Sequence, residues 1–256
     1  MIHLYDGNNI MYRQYETKGT HKAMSVRMRY EHACAQPPGT QIWCWDGHGH
    51  NERRQEVYPQ YKAKRPPKPE DLFAQVKLFR EALKHSTAIQ IEVLGWEADD
   101  VIGTLVRRFA AQGVATTVHT NDMDYGQIAH LCTLNGVNMK GVSPHRVTLY
   151  KALVGDTSDN IDGIPGFGHG RWLEMENHWD DILKAIVTGT PEAFVDLPFK
   201  PAVKAWLASH ENIATLQAML TVTHFDNVPD DELEGGIHHG VLNRPAAHAL
   251  LGKFFL

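Results

Sequence analysis

Residues 41–47 read QIWCWDG, an apolar run that stops at an aspartate and a glycine. Residues 2–7, IHLYDG, repeat that pattern, and residues 116–124, TTVHTNDMD, follow a strand-like run with two more aspartates. Short apolar runs bounded by turn residues read as buried strands. A parallel sheet collects the C-termini of its strands along one edge, so strands that end in carboxylates predict an α/β fold with acids gathered on that edge. Working outward, strand-like runs at Ile2–Tyr5, Gln41–Trp45, Ile89–Leu94, Thr116–Thr120 and His130–Leu134 alternate with helical patterns at Met24–Ala35, Glu70–His85, Asp99–Gln112 and Val147–Leu153. The alternation predicts a doubly wound α/β layout. After Gly168 strand signals fade, and the amphipathic patterns Trp179–Ile186, Ala202–Leu220 and Pro245–Phe255 predict a helical C-terminal part.

Nine acids stand out by position: Asp6, Asp46, Glu97, Asp99, Asp100, Asp122, Asp124, Asp156 and Asp159. Taken singly, each has a structural reading, since an aspartate after a strand or in a helix's first turn is commonly a cap or a dipole partner. The pairs argue otherwise. Glu97, Asp99 and Asp100 lie within four residues ahead of one helical pattern, and one cap suffices for one helix. Asp122 with Asp124, and Asp156 with Asp159, set like charges side by side where a structural role wants at most one. Crowded carboxylates repel unless cations neutralise them. Mg²⁺ and Mn²⁺ take oxygen ligands, and two such ions about 3.5–4 Å apart are a usual device for phosphodiester hydrolysis. The acids therefore point to a metal-dependent nuclease.

Composition is compatible with that. At 256 residues, 43% hydrophobic and 9% aromatic, the chain has ample material for a buried core. No apolar run approaches the roughly 20 residues of a membrane span and no secretory signal pattern opens the chain, so a soluble, intracellular protein is expected. Cys34, Cys44 and Cys132 form no CxxC pair and read as reduced thiols, with no zinc site indicated. His48 and His50, near Asp46, read as loop residues because imidazole prefers softer ions. The net charge of −5 looks unsuited to a polyanionic substrate, but setting the nine acids aside leaves 21 against 25 Lys and Arg. The remaining surface is about +4, and bound cations would neutralise the rest.

Two further stretches fit such a substrate. Residues 53–68, RRQEVYPQYKAKRPPK, interleave Arg53, Arg54, Lys62, Lys64, Arg65 and Lys68 with Tyr58 and Tyr61. Cations for phosphates and rings for bases are what a single-strand-binding segment needs, although a solvated loop stiffened by prolines would look similar. Residues 161–168, IDGIPGFG, form a glycine-rich turn whose backbone N–H groups can approach a phosphate closely.

The ordered set YDGNNIMYR, YPQYKAKR, GWEADDVIGTL, TNDMDYGQI and GDTSDNIDGIPGFG resembles the 5′-nuclease family, which holds flap endonucleases, phage 5′→3′ exonucleases and the 5′-nuclease domain of bacterial DNA polymerase I. The resemblance covers about residues 1–225. It implies a parallel-sheet, PIN-like (Rossmann-like) nuclease core with a helical arch and a helix-three-turn-helix. The implied organisation is a core over 1–150, with its basic arch at about 48–85, and a helix-three-turn-helix and helical region over 151–256. With no polymerase domain following, a stand-alone form is expected. The resemblance makes Asp6, Asp46, Glu97 and Asp99 ligands of a first ion, sets Asp122 between two ions, assigns Asp124, Asp156 and Asp159 to the second, and leaves Asp100 in an outer shell. Lys62 matches a lysine on the scissile phosphate and, with Asp122, is the expected catalytic pair. Tyr61 matches a base-stacking ring, Arg65 a phosphate contact, and Gly163, Gly166 and Gly168 the duplex-gripping hairpin, where the family often holds K⁺. Arg171 stands one residue from the usual hairpin cation, and Asn121 and Met123 replace the family's frequent glycine and lysine.

The sequence thus predicts a Mg²⁺- or Mn²⁺-dependent DNA nuclease with 5′→3′ exonuclease or flap endonuclease activity, leaving 5′-phosphates. DNA with a free 5′ end or 5′ flap is the expected partner, RNA–DNA hybrids a further substrate, and a monomer the expected state. The rival readings are a catalytically silent DNA-junction binder on the same fold and a PIN-type ribonuclease. An aspartyl phosphatase is disfavoured, because Asp6-Gly7-Asn8 lacks a second aspartate for acid and base work.

Overall fold

In the computed structural model, residues 1–18, 22–35 and 39–252 are described. The last residues of the pattern Pro245–Phe255 lie outside them. In chain order the elements are β1 (Ile2–Asp6), α1 (Gly7–Lys18), α2 (Lys22–Cys34), β2 (Thr40–Trp45), α3 (Glu52–Val57), α4 (Glu70–Leu83), β3 (Ile89–Glu92), α5 (Ala98–Ala111), β4 (Thr116–His119), β5 (Thr133–Asn135), α6 (Val147–Val154), α7 (His169–Glu174), α8 (Trp179–Thr188), α9 (Pro201–Leu207), α10 (His210–Val222), α11 (Asp230–Gly235), β6 (Ile237–His239) and α12 (Arg244–Gly252). They divide into two units. One takes Met1–His50, Pro67–Asn138 and the segment from Asp226 onward; the other takes Asn51–Pro66 and Met139–Phe225.

The first unit is built on a six-stranded sheet of order β5-β4-β1-β2-β3-β6. All pairings are parallel except that of β3 with β6. The expected α/β fold with a mostly parallel sheet is therefore present. Alternation along the strands decides which residues go where. Tyr5, Trp43 and Trp45 share the face covered by α1, α2, α4 and α12, where Met11, Tyr30, Phe79 and Leu251 join them in one buried cluster. The stacked pair Tyr5–Trp43, with centroids 4.4 Å apart, fixes the register of β1 against β2. Each such ring removes about 150–250 Å² from water, so this layer is a main source of stability. Leu4, Ile42, Cys44 and Val118 face the other way, toward α5, whose Val101, Ile102, Leu105 and Val106 are buried.

Several details differ from the sequence reading, among them α1, a helix where no helical pattern was expected. The strand expected at His130–Leu134 is shifted to Thr133–Asn135, because a 3₁₀ helix over Met123–Ile128 and its closing turns use the preceding residues. The single pattern Ala202–Leu220 is two helices, because the Ser209 hydroxyl accepts the Asn212 N–H at 3.4 Å and starts α10 anew. β6 appears where no strand was expected.

The second unit is helical. Trp172 of α7 stacks on Trp179 of α8 at 4.5 Å, with Tyr150 of α6 set edge-on at 5.2 Å. α10 packs on α3, α6, α8 and α9. No described helix is long and apolar enough to cross a membrane.

Candidate active site

In the first unit, the alternation that buries Tyr5 and Trp45 turns the next residues, Asp6 and Asp46, to the α5 face at the C-terminal edge of the sheet. There α5 begins. Its first N–H groups lack partners within the helix, and Asp46 Oδ1 accepts the Ala98 N–H at 3.0 Å. Gly47 permits this approach: a Cβ there would run into the Val93 carbonyl. Asn8 donates its amide to Asp46 Oδ2 at 2.5 Å, and the Asn9 N–H donates to Asp6 Oδ1 at 3.0 Å.

Asp6 is 4% exposed, and its pKa is pushed well above the usual carboxylate range, first by burial, then by Asp99, and further by Asp46 and Asp122. Three carboxylates, from the residue after β2, from α5 and from the segment after β4, therefore act on the one that ends β1. The Tyr125 hydroxyl lies between two of them, 2.8 Å from Asp99 Oδ1 and 3.4 Å from Asp6 Oδ2. Burial and the same two acids raise its pKa, so it stays protonated and donates. Thr120 Oγ1 is 3.3 Å from Asp6 Oδ2, and Asp122 caps the 3₁₀ helix by accepting the Asp124 N–H at 3.0 Å. Asp124 is buried in the first turn of that helix. Glu97, 2% exposed, has His50 Nδ1 at 3.4 Å from Oε1. Asp100 does something else: its Oδ1 accepts the Asp226 N–H at 2.8 Å, while Thr104 next along α5 accepts Val228 N–H at 2.9 Å.

Asn8, Thr120, Tyr125 and His50 were not among the sequence candidates. Asn8 stands two residues after Asp6 and Tyr125 directly follows Asp124, so proximity to the acids was the available signal. Among the described residues, no three Asp, Glu, His or Cys side chains already converge as a ligand set. Neutral side chains and backbone N–H groups instead hold several of the acids. The donors are oxygens and the charge is concentrated, which suits a hard divalent cation.

In the second unit, Asp156 and Asp159 are met by cations from the chain itself. Lys151, 4% exposed, places Nζ 2.6 Å from Asp156 Oδ2 and 3.7 Å from Asp159 Oδ2. Burial alone would raise the Asp156 pKa, but Lys151 and two hydrogen bonds from Ser158 outweigh it and bring it down to about 2. Arg65 donates to Asp159 Oδ1 at 2.6 Å and to the Ser158 carbonyl at 2.7 Å. Lys62 adopts a left-handed φ of 53°, held by its N–H to the Asp159 carbonyl, with Nζ 4.0 Å from Asp159 Oδ1.

The basic segment is thus partly turned inward. Arg54 is buried and donates to the His224 carbonyl at 3.0 Å. Tyr61, expected to stack on a base, is 3% exposed beneath Arg54 and Lys62. Arg53 and Lys64 remain on the surface. Gly163 has a φ of 69°, and its absent Cβ would sit 2.5 Å from the Gly155 nitrogen, so this glycine is required by close backbone approach. Gly166 and Gly168 border open space, and Arg171 pairs with Glu174 one turn on.

The family model of the 5′-3′ exonuclease N-terminal, resolvase-like domain matches residues 1–150. The chain belongs to this family. Its relatives include the 5′-3′ exonuclease of Mycoplasma pneumoniae, 32% identical over 147 residues that make up 50% of each chain. DNA polymerase I of Caldicellulosiruptor bescii is 33% identical over 196 residues, 64% of this chain and 23% of the polymerase. The chain thus spans half or less of these relatives' length. Among solved structures, the zinc-bound T5 5′-exonuclease superposes with a TM-score of 0.61 at 17% identity over 87% of both chains. The bacteriophage T5 flap endonuclease in complex with DNA and metal ions gives 0.58 at 14% identity, over 98% and 99%. At such identities the likeness is one of fold, and it agrees with the PIN-like core implied by the motifs.

Proposed function

We propose that the chain is a divalent-metal-dependent DNA nuclease with 5′→3′ exonuclease or flap endonuclease activity that leaves 5′-phosphates. The observation that carries this reading is the group of carboxylates at the C-terminal edge of the sheet in which Asp46, Asp99 and Asp122 all act on Asp6. Asp6, Asp46, Glu97, Asp99, Asp122 and Asp124 would hold a cation such as Mg²⁺ or Mn²⁺. Such an ion lowers the pKa of water and offsets charge on a phosphodiester. Asp46 stays oriented by Asn8 and the Ala98 N–H, and Asp99 by the Tyr125 hydroxyl. Asp100 acts as a support for the 226–228 segment.

Asp156 and Asp159 are proposed as ligands of a second ion, in competition with Lys151. Lys62, Lys64, Arg65 and Arg53 are proposed as phosphate contacts, with Gly163, Gly166, Gly168 and Arg171 in a duplex-gripping turn. K⁺ at that turn rests on the family resemblance alone. DNA with a 5′ end or flap is the proposed substrate, acted on by a monomer.

The test incubates the protein with a 5′-labelled flap duplex, a blunt duplex, an RNA–DNA hybrid and a single-stranded RNA, in Mg²⁺ and in EDTA. Cleavage of DNA only with Mg²⁺, leaving 5′-phosphates, is expected. Asp122→Asn should bind flap DNA without cutting it. Near-normal cutting by Asp122→Asn overturns the site. Wild-type DNA binding without cleavage favours a silent junction binder, and a preference for the RNA favours a ribonuclease.

A further inference from the structure

We propose that His50 is a ligand of the carboxylate site and sets its choice of ion, tilting the site from Mg²⁺ toward a borderline divalent transition ion such as Co²⁺ or Zn²⁺. The inference rests on the reading of these acids as a cation site and deepens it, giving a role to a residue that the sequence placed in a loop. The turn after β2 is locked against the segment that enters α5. The Gly47 N–H donates to the Trp96 carbonyl at 2.9 Å, the Gly95 N–H to the His48 carbonyl at 2.8 Å, and the His50 N–H closes the turn on the Gly47 carbonyl at 3.3 Å. Gly49 takes a left-handed φ of 71° inside it. The turn sends its two histidines different ways: His48 is exposed, while His50 Nδ1 lies 3.4 Å from Oε1 of the buried Glu97.

That separation discriminates between two roles for the ring. A charge-assisted N–H donor on a carboxylate settles at about 2.7–2.9 Å. Two donors of one tetrahedral ion, with metal–nitrogen and metal–oxygen bonds of about 2.0–2.2 Å, stand about 3.4 Å apart. Around an octahedral Mg²⁺, with bonds of about 2.1 Å at right angles, they stand about 3.0 Å apart. His50 Nδ1 and Glu97 Oε1 thus match one edge of a four-coordinate site. Among the described residues no third Asp, Glu, His or Cys already converges on the pair, so the set closes when the ion binds. Asp46 is the proposed third donor, since its Oδ1 accepts the N–H of Ala98, the residue after Glu97. Carboxylates and water suit Mg²⁺, whereas imidazole suits Co²⁺, Ni²⁺ and Zn²⁺. One nitrogen among oxygens therefore shifts the preference and still leaves a site for a hard ion.

The test is isothermal titration of the whole chain with Co²⁺ and with Mg²⁺, together with proton NMR of the Co²⁺-loaded protein. A coordinated imidazole shows a strongly shifted, solvent-exchangeable ring N–H resonance there, and wild type is expected to show it. His50→Gln should lose that resonance and weaken Co²⁺ by at least about tenfold, while Mg²⁺ changes by less than about threefold. His48→Gln, on the exposed neighbour, should change neither. The His50 side chain is 27% exposed, so its replacement leaves the core intact, and the wild-type resonance needs no variant at all. Equal weakening of both ions would make His50 a hydrogen-bonding support for Glu97 and overturn the proposal. So would a Co²⁺ affinity unmoved by His50→Gln, or a wild-type spectrum without the resonance. A chain that binds Co²⁺ through His50 but cuts no DNA loses the nuclease reading and keeps this ligand; one that cuts DNA in Mg²⁺ but shows no coordinated ring does the reverse.

Discussion

Lys151→Met isolates the charge that holds the Asp156–Asp159 turn together. Lys151 is buried, with Nζ 2.6 Å from Asp156 and 3.7 Å from Asp159. Methionine keeps most of the side-chain volume and removes only the ammonium. Breaking a buried pair on one side typically costs about 3–5 kcal/mol, because the remaining charge is left buried and uncompensated. A second route to the magnitude starts from Asp156, whose pKa is near 2 against an ordinary 3.8. That difference corresponds to about 2 kcal/mol, shared between Lys151 and Ser158. Asp159 keeps Arg65 at 2.6 Å, which limits the damage. The expected loss is therefore about 3 kcal/mol at neutral pH.

The pH dependence carries the sign. A carboxylate whose folded pKa is depressed stabilises the fold above its unfolded pKa, and that contribution is lost as pH falls through the folded value. The gap between wild type and variant should be flat from about pH 5 to 8 and shrink between about pH 4 and 2. Urea unfolding in EDTA at stepped pH measures it. A loss under about 1 kcal/mol, no more than a surface pair is worth, or a gap unchanged across the acid range, refutes the reasoning. Repeating the series in Mg²⁺ addresses the proposed second ion: with Lys151 gone, a cation-binding turn should stabilise the variant more than wild type. Equal gains would make the pair structural.

Asp6→Asn should raise the melting temperature in EDTA at neutral pH while abolishing Mg²⁺-dependent cleavage. The raised folded pKa of Asp6 means that stability present below the ordinary 3.8 is lost as pH rises toward the folded value. The gain should therefore vanish on acidification, and a lower melting temperature at neutral pH refutes it. Tyr125→Phe should weaken Mn²⁺ binding by equilibrium dialysis by about 10–100-fold, the usual cost of losing a partner that orients a metal ligand. Unchanged affinity would leave Tyr125 a packing residue. Gly47→Ala should cost about 3 kcal/mol or more in urea unfolding, since its Cβ meets backbone at Val93. Gly166→Ala, strained by its φ of 79° but facing open space, should cost only about 1–2 kcal/mol. Equal effects at the two positions would refute the close-approach argument.

The elements that announced themselves were those whose neighbours demand little choice. β1 and β2 lie inside the sheet with both faces largely buried, so they read as apolar runs, and the acids at their ends fall on the edge that topology dictates. β6 carried no such signal, because three residues become a strand only by pairing with β3 across some 150 residues of chain. Ser209 was overlooked as a start signal because the apolar pattern continues across it, and pattern alone does not show which serine caps. At the site, charge was legible and direction was not. Asp99 and Asp100 are adjacent in sequence, yet successive residues of a helix point about 100° apart, which sends one toward Tyr125 and the other toward Asp226. Arg54 and Tyr61 looked like surface groups of a basic segment, because composition reports charge and aromaticity but not whether a helix will fold over them. Asn8 and Tyr125 escaped for a related reason: a neutral donor is identifiable only through the carboxylate it meets, and that meeting is made by the sheet edge and the start of α5, not by any local pattern. The acids are thus a property of the sequence, and their orientation is a property of the fold.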